Sequence, residues 1–156
     1  VARRLGEHRM VLCAAPDYLL ERGQPQSVAD LAHHAAINYL RAGRVLPWEL
    51  MDNEGTSHTF TPRSSLNMDD LQAICDAALA GHGIAWLPCW MASREIHQGK
   101  LIPLLKQAPE VRFDVHAVWQ KTPHLPLRVR IAVDMLASRL PSVLSLDLSA
   151  PIKKPR

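Results

Sequence analysis

The chain has 156 residues, 47% of them apolar, with 18 Lys and Arg against 15 Asp and Glu for a formal charge of +3. That length and apolar content suit one domain, or one and a fraction, with a real hydrophobic core, and the mild charge gives no argument for nucleic acid binding. No apolar run approaches the about 20 residues of a membrane span, and no charged segment followed by an apolar one opens the chain, so neither membrane insertion nor secretion is expected.

Val1-Ala-Arg-Arg-Leu5 leads, without an initiating Met, into Arg9-Met-Val-Leu-Cys-Ala-Ala15, so the sequence reads as a fragment. Arg9 to Ala15 is a short apolar run stopped by Pro16 and predicts a buried strand. Asp17 to Arg22 predicts one or two helical turns stopped by Gly23. Ser27-Val-Ala-Asp30 is a helix start in which the hydroxyl accepts a backbone amide, and a short helix over 28–33 follows.

Ala35 to Leu40 predicts a strand, with Arg41-Ala-Gly-Arg44 as the loop at its end. Pro47 to Met51 reads as a turn with one anchoring aromatic, and Asp52-Asn-Glu-Gly55 is a strong turn signal. Thr56 to Thr61 alternates polar and bulky residues as an edge strand whose pairing Pro62 limits.

The stretch from Ser64 to Pro88 carries the most information. It predicts a strand, a capped helix over 69–80 with apolar residues at Leu71, Ile74, Cys75, Ala78 and Leu79, a stop at Gly81 and a buried strand over Ile84 to Leu87. Pro88 is placed at the first position of a helix running from Cys89 to His97. Leu101 to Leu105 predicts a short strand and Val111 to Gln120 a longer one. Pro126 to Arg139 predicts an amphipathic helix ended by Pro141, with Ser142 to Arg156 as a loose tail. Strands alternate with helices, which points to an α/β sandwich with a mostly parallel sheet.

Candidate chemistry gathers at Asn67-Met-Asp-Asp70. A helix N-terminus presents unpaired amides with partial positive charge, and Ser64, Ser65 and Asn67 add neutral hydrogen-bonding groups suited to a carboxylate or a phenol. The plainer reading is that Asn67 or Asp69 caps its own helix. Arg41 and Arg44 either clamp an acid or stay solvated. Tyr39 fits the core and a pocket equally well.

Cysteines number three, Cys13, Cys75 and Cys89, all in apolar stretches, which suits reduced buried thiols in a cytosolic protein. Eight histidines invite a metal reading, but no pair shows tight ligand spacing, and Cys75 to His82 to Cys89 has the cysteine on a buried stripe. Neither a nucleophile elbow nor a phosphate loop is present. No metal, cofactor or catalytic centre is expected.

The order Leu5 to Leu19, then Ser27-Val-Ala-Asp-Leu31, then Asn67 to Pro88, then Leu101-Ile-Pro-Leu104, resembles the effector-binding (substrate-binding) domain of LysR-type transcriptional regulators. The most specific part is Ala-Ala-Leu-Ala-Gly-His-Gly-Ile-Ala-Trp-Leu-Pro ending at Pro88, and the resemblance spans roughly residues 1 to 140.

It implies a periplasmic-binding-protein-like (type 2) α/β fold, with one complete subdomain and part of a second. Residues 1–15 would be a crossover strand, 16–110 the second subdomain, 111–140 the return crossover and last helix of the first subdomain, and 141–156 a flexible tail. It implies effector contacts from Ser65, Asn67, Met68, Tyr39, Pro88 and Cys89, and a homo-oligomer in the cytoplasm. The effector would be a small molecule such as an organic acid. DNA would be bound only by a helix-turn-helix domain that this sequence does not contain.

Two other classes stay open: a solute-binding component of a transport system, and a small enzyme using Cys75 or Cys89 with a histidine. The chain is also expected to self-associate through an open strand edge beside Val111 to Gln120.

Overall fold

In the computed structural model, residues 1–63, 66–122 and 124–144 are described. The sheet is organised around β1, Ala2–Ala14, which is longer than the apolar run predicts. Its inner half pairs antiparallel with β7, Ile84–Pro88, in the register Met10 to Pro88 and Cys13 to Ala85. Its outer half pairs antiparallel with β9, Arg112–Val118, from Ala2 opposite Val118 to Arg9 opposite Arg112, with a register shift between Arg4 and Gly6. Local patterning misses Ala2 to His8 because these residues are mostly polar or charged and half-buried at most, apart from Leu5.

The strand order is β3-β2-β7-β1-β8, with β6 added to β2 and β9 to β1. β2 is Ala36–Arg41, β3 Arg44–Val45, β6 Leu66–Met68 and β8 Ile102–Pro103. Only β2 with β6 and β2 with β7 are parallel; β1 runs antiparallel to β7, β8 and β9. The sheet is therefore mixed, not mostly parallel. Strand direction is set by which distant segments pair, and alternation of strands and helices carries no information on that.

Two apolar layers flank the sheet. On one face, α2 (Leu71–Leu79) and α3 (Cys89–His97) bury Ile74, Cys75, Ala78, Cys89 and Ala92 against Val11, Cys13, Ile37, Ala85 and Leu87. On the other, α1 (Pro16–Arg22), a 3-10 turn (Ala29–His33) and β4 (Trp48–Met51) bury Tyr18, Leu31, Trp48 and Leu50 against Leu12, Ala14, Ala36 and Ile84. Alternate β1 and β7 side chains thus serve opposite layers, as strand geometry requires. Pro47 to Met51, read as a turn, is a strand here: Trp48 and Leu50 alternate inward, and β4 pairs with β5 (Ser57–Phe60) in a sheet of its own. The predicted edge strand over Thr56 to Thr61 thus borders that hairpin and not the main sheet.

The helix ends obey local chemistry with small shifts. Asp70, neither Asn67 nor Asp69, caps α2 by accepting from the Ala73 amide at 2.8 Å. Asn67 lies in β6, one strand earlier, since Asp70 is the residue placed three before a free amide. Gly81, at φ 79, supplies the left-handed stop, and Ser27 and Asp30 form the expected reciprocal cap. Gly83 is required by space: a Cβ there would sit 2.6 Å from the Ala35 carbonyl oxygen. Pro88 is the last residue of β7 and the N-cap of α3, with extended ψ of 134, so Cys89 and not Pro88 opens the helix.

The last helix, α4, spans Leu127–Leu144 and contains Pro141 instead of stopping before it. The proline has no amide to donate to the Ala137 carbonyl, so the final turn lacks that bond, and it lies with Leu144 over Gly6 of β1. Residues 142–144 are thus helical and not tail; Ser64, Ser65 and residues 145–156 lie outside the described residues.

Candidate functional site

The three strands β2, β6 and β7 run in the same direction and end along one edge of the sheet. Parallel pairing puts Asn38 opposite Asn67 and Tyr39 opposite Met68. β7 reaches the same edge at Pro88, and α3 begins there with Cys89. α2 begins at Leu71, three residues past the end of β6. Carboxyl ends of parallel strands and amino ends of helices therefore converge, the arrangement in which open α/β sheets place ligands.

Of the sequence candidates, the fold brings Tyr39, Asn67, Met68, Pro88 and Cys89 to this edge. Ser65 lies outside the described residues. Tyr39 and Met68 are half-buried and pack on the layer that contains Leu87 and Cys89. Asn67 is exposed, whereas Pro88 is buried and Cys89 is only 1% exposed. The edge thus offers one exposed amide, one aromatic and one thioether, with the Cys89 thiol behind them. Arg41 and Arg44 are exposed at the tip of the β2–β3 hairpin, past the edge.

The edge has one polar neighbour that is not among the candidates read from the sequence. Asn38 is 2% exposed; its amide nitrogen donates to the Pro62 carbonyl at 3.2 Å, and its Oδ1 has no partner among the described residues. A buried, half-satisfied amide beside Asn67 marks a polar spot in an otherwise apolar layer. An Asn embedded in Ala35-Ala-Ile-Asn-Tyr-Leu40 is the signal that was there to read.

Thiol chemistry is suppressed. Burial pushes the Cys89 thiol up to about 11, with Arg9 opposing the rise, and pushes Cys13 and Cys75 up as well. Among the described residues no group of three or more His, Cys, Asp or Glu is placed to hold a metal ion. His34, expected at the surface, is half-buried and meets the Tyr18 hydroxyl at 3.1 Å, which itself accepts from the Ala35 amide at 2.9 Å. Its pKa is lowered by desolvation, so the neutral ring is favoured.

A cavity of about 370 Å³ lies elsewhere, on the face away from α2 and α3, and none of the five edge residues lines it. It opens between β1, β4, β7 and the connection from β8 to β9, with Met10, Leu12, Leu50, Trp86 and Val111 among its walls. Sequence reasoning missed it because its walls come from segments far apart in the chain.

Fold and edge together define a mixed α/β module with helix starts facing the ends of parallel strands. Residues 1–141 match the family model described as the LysR substrate binding domain, and the chain belongs to that family. It is 32% identical over 141 residues to the HTH-type transcriptional regulator CrgA of Neisseria meningitidis, covering 89% of this chain and 46% of that protein. It is 33% identical over 138 residues to the HTH-type transcriptional activator AaeR of Escherichia coli, covering 86% of this chain and 43% of that protein.

Among solved structures, the CrgA regulatory domain superposes with a TM-score of 0.75 at 30% identity, covering 90% of this chain and 69% of that one. Full-length AphB of Vibrio cholerae superposes with a TM-score of 0.77 at 25% identity, covering 88% and 47%. The chain thus spans about half the length of the curated relatives it matches. These relatives are named as transcriptional regulators, and not as solute-binding components of transport systems.

Proposed function

We propose that this chain is the effector-sensing part of a LysR-type transcriptional regulator, binding a small molecule at the edge formed by β2, β6 and β7. The observation that carries the reading is the convergence of Tyr39, Asn67, Met68, Pro88 and Cys89 at that edge in a chain of this family. Ser65 stays a candidate from the sequence. The effector we favour is an organic acid, because the start of α3, which carries no side-chain cap, and the neutral amide of Asn67 accept an anion without burying a counter-charge.

In this reading residues 16–110 form one subdomain, and β1 and β9 are crossovers to another whose polar residues complete the cleft. Effector binding then acts by population shift: it favours the subdomain arrangement for which it has the higher affinity, and this is passed to DNA-binding heads in a cytoplasmic homo-oligomer. DNA contact belongs to a helix-turn-helix segment outside this sequence. No catalytic step is invoked; the raised pKa of Cys89 supports leaving the thiols out of any chemistry. Among the described residues no helix is long and apolar enough to cross a membrane.

The test is a thermal-shift screen of aromatic and short carboxylic acids on the full-length regulator, followed by the same ligand on Asn67→Ala and Tyr39→Ala. The reading expects an acid that raises the melting temperature, with the rise reduced in both variants. Stabilisation untouched by either substitution sinks the assignment of the edge.

A further inference from the structure

The cavity on the opposite face has a floor and a rim of different character. Its floor is apolar: Met10 and Leu12 of β1 lie beside Trp86 of β7, whose ring meets Phe113 edge-on at a centroid distance of 5.9 Å. Its rim carries three charged side chains. Glu110 is already neutralised, since one guanidinium nitrogen of Arg9 donates to both its carboxylate oxygens at 2.8 Å.

Glu49 and Lys106 are not. The Glu49 carboxylate accepts from the Thr59 hydroxyl at 3.1 and 3.3 Å and has no cationic partner among the described residues. Lys106 is exposed and likewise makes no ion pair among the described residues, with Glu49 or any other acid. One unpaired anion and one unpaired cation thus border the same apolar floor. Its volume of about 370 Å³ falls in the range of small-molecule sites.

We propose that this cavity is a second ligand site, for a small zwitterion with an apolar body, whose ammonium group meets Glu49 and whose carboxylate meets Lys106. The charges decide between ligand classes. A simple anion gains Lys106 but meets Glu49, and a simple cation gains Glu49 but meets Lys106; only a zwitterion leaves neither rim charge unpaired. The apolar floor supplies the remaining affinity through burial of the ligand body against Trp86, Met10 and Leu12. Met10 of the cavity floor pairs in register with Pro88 of the proposed effector edge, so the two sites share strand β7. Occupancy of one therefore has a short mechanical route to the other, and any coupling is reciprocal.

The test uses the full chain titrated with L-leucine, L-phenylalanine and L-tryptophan, and with their N-acetyl and amide derivatives, by calorimetry and by backbone and indole chemical-shift mapping. At least one amino acid should bind saturably with the largest shifts at Trp86, Leu50 and Met10. Both capped forms should bind about tenfold or more weakly, as should the zwitterion to Glu49→Gln and to Lys106→Met, because each change removes one charge-assisted contact. In Glu49→Gln the gap between the zwitterion and its N-acetyl form should close, because the charge that favours one and disfavours the other is gone. The proposal is overturned by absence of saturable binding at millimolar concentrations, by capped forms binding as tightly as the zwitterion, or by shifts centred on Tyr39, Asn67 and Met68. The last result would move the ligand to the effector edge and leave that reading standing, whereas a silent cavity leaves it untouched.

Discussion

The two halves of β1 are one strand by hydrogen bonding and two different structures by energetics. From Val11 to Ala14 the strand is buried on both faces and lies between β7 and β8. From Ala2 to Arg9 it has β9 as its ladder partner, and its side chains are held by ion pairs: Arg4 to Asp114 at 2.7 Å and to Glu7 at 3.0 Å, Arg112 to Glu7 at 2.7 Å, and Arg9 to Glu110 at 2.8 Å. α4 covers the outer half at Gly6 through Pro141 and Leu144, yet leaves Leu127, Ile131, Met135 and Val143 exposed. Burial fixes the inner half in place. Exposed ion pairs line the outer half but add little stability, since each gives back in desolvation and side-chain entropy most of what it gains in attraction.

The contrast can be broken most strongly from the inside. Leu87→Ala, in the β7 residue paired with Val11 and 0% exposed, should lower unfolding free energy by about 2–5 kcal/mol, read by chemical denaturation, because the packed layers cannot close over the lost volume. A loss near zero would mean that the inner half is not the packed centre described here.

Alkaline pH should act on the same half. Cys13, Cys75 and Cys89 are held neutral by burial, Cys89 up to about 11 against an ordinary value of 9.0. The unfolded chain therefore releases thiol protons that the folded one keeps. The thiol contribution to stability should be flat below pH 9 and fall as the pH rises past it, by about 1.4 kcal/mol per pH unit for each such thiol. Urea midpoints across this range should show the fall, and Cys89→Ala should reduce its slope.

A smaller effect is expected from Asp70→Ala, which removes the cap of α2, the helix that covers the inner sheet. A loss of about 1 kcal/mol is expected, with Asp70→Asn recovering most of it. Least of all is expected from Arg4→Ala. It removes two of the exposed pairs of the outer half, and its melting temperature should match that of the parent chain at physiological salt. A clear drop would show that the outer half depends on its charges after all.

The inner half was legible in the sequence and the outer half was not, for the same reason. Arg9 to Ala15 announces itself by apolar content, as do the stripe of α2 and the run of Ile84 to Leu87, because burial is written into residue type. Ala2 to His8 pairs through its backbone, and backbone pairing leaves no mark on composition. The same limit hid β4, where the alternation of Trp48 and Leu50 is short and sits beside a proline. At the candidate edge, the local unit from Asn67 to Pro88 was readable because a strand, a cap, a stop and a second strand follow one another in sequence. That Tyr39 joins them was expected from the family resemblance and depends on β2 lying between β6 and β7.

The sequence by itself determined the helix boundaries around α2 and α3, the buried and unreactive character of the thiols, and the family resemblance. Each rests on contacts within a few residues or on burial that residue type announces. Only the tertiary structure decided that the sheet is mixed, and that Glu49 and Lys106 border one apolar cavity with Trp86 as part of its floor. Those outcomes depend on which distant strands pair and in which register, and that choice is made by the packing of the whole chain.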